Sequence, residues 1–375
     1  MAPRPSPSIL LTGATGFIGG TVLHSLLTSP TLKSLNPTIT CLLRGSDRAA
    51  KLTTTYGDRV KTILYDGLDD TEAATAAAAE HDVVVNTTLG YHLPSAQALI
   101  RGLALRKASL QGNQEQDGVW YVQTSGTSNV ADRPISGKWV ESKSKSEGGH
   151  ELDDLASDVY TYEHDREVRE GPYFQRTTEL GVVDLGLSLG VKTVVIMSPT
   201  IYGVGTGLFN RLSYQVPSNV RAALHHGRPI VAGNGSGVWD HVHVEDLADL
   251  YILLVQLMLE KRGEGIPTGK RGILFSGNGR HSWREVAQGV ADVLYEEGKI
   301  ANREVQEASL AEVARVLTES TGQPLTEELV ERGFSSNSLT VASVARKLGW
   351  KPTRGEDAWK KGFRDDVQAV LEAAK

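Results

Sequence analysis

The feature that most constrains the fold is a glycine-rich segment directly after the first apolar run. Residues 8–11 have the composition of a short buried strand, and they lead into Thr12-Gly-Ala-Thr-Gly-Phe-Ile-Gly-Gly20. A helical pattern follows at residues 21–27. A strand, a tight turn and a helix N-terminus bring free backbone N–H groups and the positive end of a helix dipole to one point. We therefore expect a dinucleotide-binding site near the start of the chain.

Three glycines of this segment have separate roles in that expectation. Gly13 allows the tight turn, Gly16 lets the backbone approach the pyrophosphate, and Gly19 lets the helix pack closely on the strand. The residues predicted to contact the cofactor in this segment are Gly13, Thr15, Gly16, Phe17, Ile18 and Gly19.

Strand-like and helix-like segments alternate along the first two thirds of the chain. Further strands are predicted at residues 38–43, 60–64, 83–86, 119–123 and 194–197, and helices at residues 71–80 and 95–108. Strands that are apolar throughout and alternate with helices indicate a parallel sheet covered on both faces. The predicted fold is a Rossmann-type, doubly wound α/β fold with a smaller C-terminal substrate lobe.

The domain organisation follows from where this alternation weakens. We predict an NADP-binding domain at residues 1–205 and a mostly substrate-binding lobe at residues 206–375, with some of its segments returning to the first domain. Residues 131–172 form a polar, charged insertion. It is either a surface loop or a lid over a site, because long insertions in compact domains are often functional.

Composition excludes several classes of protein. The chain has 375 residues, 40% of them hydrophobic, so it can bury a sizeable core and disorder is excluded as its overall state. A net charge of -6 argues against a nucleic-acid partner. The single cysteine, Cys41, excludes an intramolecular disulfide. The most apolar window, residues 251–259, is far shorter than the roughly 20 residues that cross a bilayer. We expect a cytoplasmic protein with no membrane partner.

The spacing Gly-x-x-Gly-x-x-Gly from Gly13 to Gly19 resembles that of the short-chain dehydrogenase/reductase superfamily, specifically its extended, epimerase/dehydratase-like branch. Other segments that look like this branch are Asn86-Thr-Thr88, Thr124-Ser-Gly-Thr127, Pro199-Thr-Ile-Tyr-Gly203, residues 239–246 and residues 347–352. The resemblance covers most of the chain. It implies a small-molecule substrate, cofactor contacts from Thr87, Thr88, Pro199 and Ile201, and a homodimer as a common assembly.

Arg44 bears on which nicotinamide cofactor is bound. It ends the second predicted strand, 25 residues after Gly19. An acid there would accept a hydrogen bond from a ribose 2′-hydroxyl, whereas an arginine favours a 2′-phosphate. Arg44, with Arg48 or Lys51 near it, therefore predicts NADP(H), the alternative being an ordinary surface arginine. Asp66 and Leu68 follow the third strand, where the family holds the adenine.

The catalytic residues depart from the family pattern. The superfamily uses Tyr-x-x-x-Lys, in which the lysine lowers the pKa of the tyrosine, and a Ser or Thr that holds the substrate oxygen. Tyr173 lies 26 residues before Pro199, about the family's distance, and is preferred to Tyr160 or Tyr162. Thr177 then stands in the lysine position, where it supplies no positive charge. Ser125 and Thr127 both qualify as the hydroxyl residue.

The missing lysine leaves three hypotheses open. In the preferred one, the chain is an NADP(H)-dependent reductase or dehydrogenase of a small or medium carbonyl or activated double bond, with Tyr173 as proton donor. Another cation would then replace the lysine, or the proton donor would differ. In the second, the scaffold performs a non-redox isomerase, dehydratase or cyclase reaction. In the third, it is a non-catalytic NADP-binding regulator. The candidate cations are Arg176, Lys138, Lys143 and Lys145.

Two further groups of residues are candidates for a substrate pocket and for a metal site. Tyr202, Phe209 and Trp239 follow strands, and they either line a substrate pocket or pack in the core. His241 and His243 have the spacing at which two side chains of one strand share a metal ion. A third ligand in a plausible pattern is missing, so we predict no metal site.

Overall fold

The computed structural model describes residues 6–110, 118–140 and 150–374. Its strands are β1 Ser8–Thr12, β2 Thr38–Leu43, β3 Val60–Leu64, β4 Val83–Asn86, β5 Trp120–Gly126, β6 Glu151–Asp153, β7 Lys192–Ser198, β8 Thr200–Tyr202, β9 Ile230–Ala232, β10 Val238–His243, β11 Ile273–Phe275, β12 Arg280–Ser282, β13 Gln306–Ala308 and β14 Leu339–Val341. Its α-helices are α1 Phe17–Thr28, α2 Pro30–Leu35, α3 Ser46–Tyr56, α4 Thr71–Ala79, α5 Leu93–Ser109, α6 Val159–Glu170, α7 Phe174–Leu189, α8 Gln215–His226, α9 Val244–Lys261, α10 Trp283–Glu296, α11 Leu310–Thr321, α12 Glu327–Phe334, α13 Ser343–Leu348 and α14 Glu356–Ala373.

Seven of these strands form the central sheet, in the order β11-β7-β5-β4-β1-β2-β3. Every neighbouring pair is parallel. Strands β4 and β7 are buried along almost their whole length, as expected for β-branched runs covered on both faces. The predicted doubly wound α/β fold is confirmed.

The chain reverses its direction across the sheet between β1 and β4. Because crossover connections are right-handed, the helices that follow β1 and β2 lie on one face, and those that follow β3, β4 and β5 lie on the other. The packing agrees: α1 contacts α9, whereas α5 contacts both α4 and α7. After β1 and β4 the connections leave toward opposite faces of the sheet, and ligands of open sheets of this type bind at the carboxyl edge between such strands.

The core consists of two main clusters of buried side chains. The larger fills the space between the seven-stranded sheet and its helices, and the smaller joins α8, α10, α11 and α14 in the C-terminal part of the chain. Local signals start these later helices: the Ser282 hydroxyl accepts from the Glu285 N–H, and the Ser309 hydroxyl accepts from the Glu312 N–H. The division into two domains between residues 205 and 206 remains a prediction.

The described residues of the insertion, 131–140 and 150–172, include regular secondary structure. They contain β6 and α6, and β6 pairs in parallel with β14. Asp132 is bound to Asn337, whose N–H donates to Asp132 Oδ1 over 2.7 Å. The Glu331 carboxylate accepts from the N–H groups of Ile135 and Ser136 over 2.8 and 2.7 Å. The described parts of the insertion are thus anchored to the C-terminal segments, and a lid function stays a prediction.

Among the described helices, none has the length and apolar character needed to cross a membrane.

Candidate functional site

The glycine turn between β1 and α1 has no room for side chains. Gly13 has φ +76°, and a Cβ there would lie 2.6 Å from Thr87 Oγ1. A Cβ on Gly19 would lie 2.2 Å from the carbonyl oxygen of Gly13. The Gly16 N–H donates to that same oxygen over 2.8 Å and closes the turn.

The start of α1 suits a bound phosphate. Gly16 offers no side-chain cap, and the first turn of the helix holds no acidic residue. The helix N-terminus therefore keeps its positive character and its free N–H groups. The side chains of Thr15, Phe17 and Ile18 are half-buried around it. These residues fit the pyrophosphate of a dinucleotide.

Threonine hydroxyls hold the ends of β1 and β4 together. Thr12 Oγ1 and Thr88 Oγ1 each donate to Asn86 Oδ1 over 2.6 Å. Thr87 Oγ1 donates to the Thr12 carbonyl over 2.7 Å. The predicted cofactor contacts Thr87 and Thr88 are therefore half-buried and held in place at the carboxyl end of β4, with Thr87 against the glycine turn.

The predicted 2′-phosphate end of the cleft is open and positively charged. Arg44 and Arg48 are exposed, and in the described part of the chain neither has a carboxylate partner. Arg44 lies against Gly67, with its Cδ 3.7 Å from the position of a Cβ on that residue. Asp66 is exposed and Leu68 is half-buried beside it.

Lys51 is engaged elsewhere. Its Nζ donates to the Leu208 carbonyl over 3.4 Å and lies 5.1 Å from the centre of the half-buried Phe209 ring. In the same loop, the Asn210 N–H donates to the Thr15 carbonyl over 3.3 Å. Phe209 thus belongs to a loop that packs on the cofactor end of the molecule.

Tyr173, the preferred proton donor, and Ser125, one of the two candidate hydroxyl residues, are joined by a chain of hydrogen bonds. The Tyr173 hydroxyl donates to Ser128 Oγ over 3.1 Å, and Ser128 Oγ donates to Gln175 Oε1 over 3.0 Å. Gln175 Nε2 in turn donates to Ser125 Oγ over 3.5 Å. The chain lies at the carboxyl end of β5, on the same edge of the sheet as the glycine turn. Ser128 and Gln175 were not predicted, because no motif marks them.

Other predicted catalytic positions lie apart from this chain. The Tyr160 hydroxyl donates to Asp184 Oδ1 over 2.6 Å, about 16 Å along α7 from Tyr173. Thr177 donates its hydroxyl to Glu167. Thr127 is fully buried, and its carbonyl accepts from Ser338. These placements favour Tyr173 over Tyr160 and Ser125 over Thr127.

A cation does lie next to Tyr173, but it comes from a distant part of the chain. The Arg332 guanidinium, on α12, is 4.4 Å from the centre of the Tyr173 ring and donates to Glu170 Oε1 over 2.6 Å. Burial raises the pKa of Tyr173, while the Ser128 hydrogen bond and the charges of Arg332 and Arg176 offset part of that rise. The phenol is therefore protonated at neutral pH.

The other candidate cations differ in their placement. Arg176 is fully buried and pairs with Glu167 over 2.7 Å. Lys138 is exposed. Lys143 and Lys145 lie outside the described residues.

A buried pair of carboxyl groups lies behind Ser125. Glu163 on α6 and Glu179 on α7 are both fully buried. Asn129 Nδ2 donates to Glu179 Oε2 over 2.9 Å and to Ser125 Oγ over 3.3 Å. Burial raises the pKa of Glu179 to about 7, and burial and the Glu179 carboxylate raise that of Glu163.

The pair holds a proton at neutral pH, because two adjacent buried carboxyl groups do not both ionise. Among the described residues, neither oxygen of Glu163 has a hydrogen-bond donor, and a shared proton supplies one. Sequence analysis missed these acids. The available signal was the i, i+4 spacing of Gln175 and Glu179 on one face of α7.

The remaining predicted residues lie at the junction with the C-terminal part. Pro199 is buried, and Ile201 on β8 pairs with Val242. Tyr202 is buried edge-on against Trp359 at 4.9 Å between ring centres. Trp239 is buried, and its Nε1 donates to Ser336 Oγ over 2.9 Å. These positions favour core packing for Tyr202 and Trp239 over pocket lining.

His241 and His243 are likewise packed rather than arranged as ligands. Both ring edges face Tyr202, at 5.5 and 5.1 Å between ring centres. Burial lowers the pKa of each to about 4. In the described part of the chain, no three metal-ligating side chains come together.

Two family models match parts of the chain. The NAD dependent epimerase/dehydratase family matches residues 172–265, and the saccharopine dehydrogenase NADP binding domain matches residues 9–102. A curated relative, the oxidase ucsJ of Acremonium sp, is 29% identical over 357 residues and covers 92% of both chains. An uncharacterized protein of Schizosaccharomyces pombe is 24% identical and covers 92% of this chain and 95% of its own.

Solved structures share the fold over almost the whole chain. The PbgP3 protein of Burkholderia pseudomallei has a TM-score of 0.63 and 13% identity, covering 98% of both chains. The dTDP-glucose 4,6-dehydratase of Bacillus anthracis, in complex with NAD, has a TM-score of 0.59 and 15% identity, covering 98% of this chain and 97% of its own. The Thermus thermophilus UDP-glucose 4-epimerase complex with NAD has a TM-score of 0.58 and 17% identity, covering 98% and 99%.

The resemblance inferred from the motifs is thus confirmed. The chain shares its fold with the solved epimerases and dehydratases, and two of its segments match models of NAD- and NADP-binding families.

Proposed function

We propose that this epimerase/dehydratase-like, NAD(P)-binding protein is an NADP(H)-dependent reductase of a small or medium carbonyl compound. The observation that carries the proposal is the hydrogen-bond chain from Tyr173 through Ser128 and Gln175 to Ser125. It lies at the sheet edge where the glycine turn would hold a dinucleotide. Reduction of a carbonyl needs a proton donor beside the oxygen, and this chain ends in one.

The chain's own residues would hold the cofactor in two places. The N–H groups between Gly13 and Gly19 would bind the pyrophosphate, and Arg44 with Arg48 would bind a 2′-phosphate. The absence of a carboxylate partner for either arginine in the described residues supports NADP(H) over NAD(H). When bound, the reduced cofactor supplies a hydride.

Tyr173 would donate its phenol proton to the carbonyl oxygen of the substrate. The phenol is protonated at neutral pH, so it carries the proton that a developing alkoxide would accept. The Arg332 guanidinium would stabilise the phenolate left behind. Solvent water would return the proton to the phenolate, while Ser128, hydrogen-bonded to the Tyr173 oxygen, would hold it in position.

Replacement of Tyr173 tests the proposal. Purified wild-type protein with NADPH and a panel of aldehydes and ketones is expected to show a fall in nicotinamide absorbance. Tyr173→Phe should lower kcat by about 10²-fold or more, the usual contribution of a general acid. Tyr160→Phe is the matched control, because its hydroxyl bonds to Asp184 and not to the chain.

Two results would contradict the proposal. One is a Tyr173→Phe variant that keeps wild-type kcat. The other is substrate conversion with no change in nicotinamide absorbance, which would favour the non-redox isomerase, dehydratase or cyclase hypothesis. Binding of NADPH without turnover of any substrate would favour the regulator hypothesis.

A further inference from the structure

Four large apolar side chains are exposed near Tyr173. The exposed fractions are 47% for Leu89, 54% for Tyr91, 76% for Phe174 and 47% for Tyr214. A single exposed apolar side chain needs no explanation, but several around one cleft mark a binding surface.

Leu89 and Tyr91 flank a backbone segment that lies on the end of β5. Between them, a Cβ on Gly90 would be 2.9 Å from the Thr124 carbonyl oxygen and 3.7 Å from Ser125 Cα. The same Cβ would be 3.7 Å from Gln175 Nε2. The segment thus borders the Ser125 end of the chain.

Phe174 and Tyr214 border the other end. Phe174 is the residue between Tyr173 and Gln175, at the start of α7. Tyr214 packs on Phe334 with 5.9 Å between ring centres, and the helix that carries Phe334 also places Arg332 over Tyr173. The Tyr91 and Tyr214 hydroxyls are close enough that Tyr91 adds to the effect of burial in raising the pKa of Tyr214. Leu89 and Tyr91 thus border the Ser125 end of the hydrogen-bond chain, and Phe174 and Tyr214 border its Tyr173 end.

The two guanidinium groups beside Tyr173 are buried and already have a carboxylate partner. Arg332 and Arg176 both contact the Glu170 carboxylate, over 2.6 and 3.2 Å. Because both arginines are buried, neither guanidinium is accessible at the surface to an anionic group such as a diphosphate. A polar, doubly charged substrate would contact the exposed aromatic side chains of Tyr91, Phe174 and Tyr214, and the two arginines would be buried beneath it.

We propose that the substrate of this site is a carbonyl compound with an extended apolar or aromatic body, held by Tyr91, Phe174 and Tyr214 while its carbonyl oxygen reaches Tyr173. This inference rests on the proposed reductase function. The transferred hydride and one proton convert the C=O group to CH–OH, and NADPH is oxidised to NADP⁺. The apolar body takes no part in the reaction and supplies binding energy.

A series of unbranched 2-ketones of increasing chain length, with UDP-glucose as the polar comparison, tests the inference. We expect kcat/KM to rise with chain length and no binding of UDP-glucose. Phe174→Ser should flatten the rise, lowering kcat/KM for the longest ketone by about tenfold or more. Leu187→Ser is the matched control, since Leu187 is 53% exposed about 20 Å further along the same helix.

The proposed function and the substrate class fail in different ways. If no ketone is reduced, the reductase proposal fails, and stabilisation by long-chain 2-alcohols in a thermal shift assay with NADP⁺ then tests the apolar site alone. Loss of that stabilisation in Phe174→Ser but not in Leu187→Ser supports the site. Three results overturn the inferred substrate class. The first is binding of UDP-glucose, and the second is a kcat/KM that does not depend on chain length. The third is a wild-type dimer that Phe174→Ser converts to a monomer, which would make the surface around Phe174 a subunit interface.

Discussion

Replacement of Glu179 by glutamine tests whether the carboxyl pair behind Ser125 holds a proton. Burial raises the pKa of Glu179 from 4.5 to about 7. Between these values the folded protein binds the proton more tightly than the unfolded chain does, so the free energy of unfolding falls as pH rises. The contribution is fully present below pH 4.5 and is lost as pH passes through 7. At 1.36 kcal/mol per pKa unit, it amounts to about 3 kcal/mol.

Urea denaturation at pH 5 and pH 8 measures this contribution. Glutamine does not ionise, so Glu179→Gln lacks this pH dependence. The difference in the free energy of unfolding between wild type and Glu179→Gln should therefore be about 2–3 kcal/mol smaller at pH 8 than at pH 5. Asp154 and Asp366, whose pKa values burial raises to about 6 and about 7, act equally in both proteins and cancel in the difference. Asp165→Asn, an exposed carboxyl on α6, is the control. Equal differences at both pH values would refute the raised pKa of Glu179.

Two further predictions concern the cofactor. In Gly19→Ala the new Cβ would lie 2.2 Å from a backbone oxygen that is fixed in position. The overpacking should destabilise the fold by about 1–3 kcal/mol or more. This cost exceeds the gain of about 1 kcal/mol in helix propensity from alanine. Thermal unfolding should show lower stability of Gly19→Ala, and NADPH titration should show lost binding. Gly333→Ala is the control and should be stable, because no atom lies within 4 Å of the new Cβ. Binding of NADPH by Gly19→Ala with wild-type affinity would contradict the site. Arg44→Ala should weaken NADPH about tenfold or more and leave NADH nearly unchanged in calorimetric titrations, and equal losses would refute the 2′-phosphate site.

The central sheet could be predicted because most of its strands are continuous buried runs. The strands β1, β2, β4, β5 and β7 are buried over almost their whole length, whereas the edge strand β3 is only partly apolar and partly buried. In contrast, β11 has three residues and pairs with β7, about 80 residues earlier in the chain. So short a strand shows no periodicity, and its pairing is set by packing. The strand β6 and helix α6 were missed because their sequence is polar.

The site could be predicted only where a motif carries the geometry. The glycine turn and Tyr173 have fixed spacings, and the structure places them on one sheet edge. Arg332 is 159 residues from Tyr173, and only the docking of α12 brings its charge to the ring. Glu163 and Glu179 face each other across two helices, one of which was not predicted. Contacts of this kind depend on tertiary packing, which local patterns do not encode.

Transfer of a deuteride tests the reductase proposal most directly. The wild-type protein is incubated with a 2-ketone and NADPH deuterated at C4 of the nicotinamide, on the face from which the hydride leaves, and the product is analysed by mass spectrometry. The account predicts one deuterium at the carbinol carbon of the product alcohol, and about 10²-fold slower labelling with Tyr173→Phe. A converted substrate without deuterium, from either face of the nicotinamide, would contradict it.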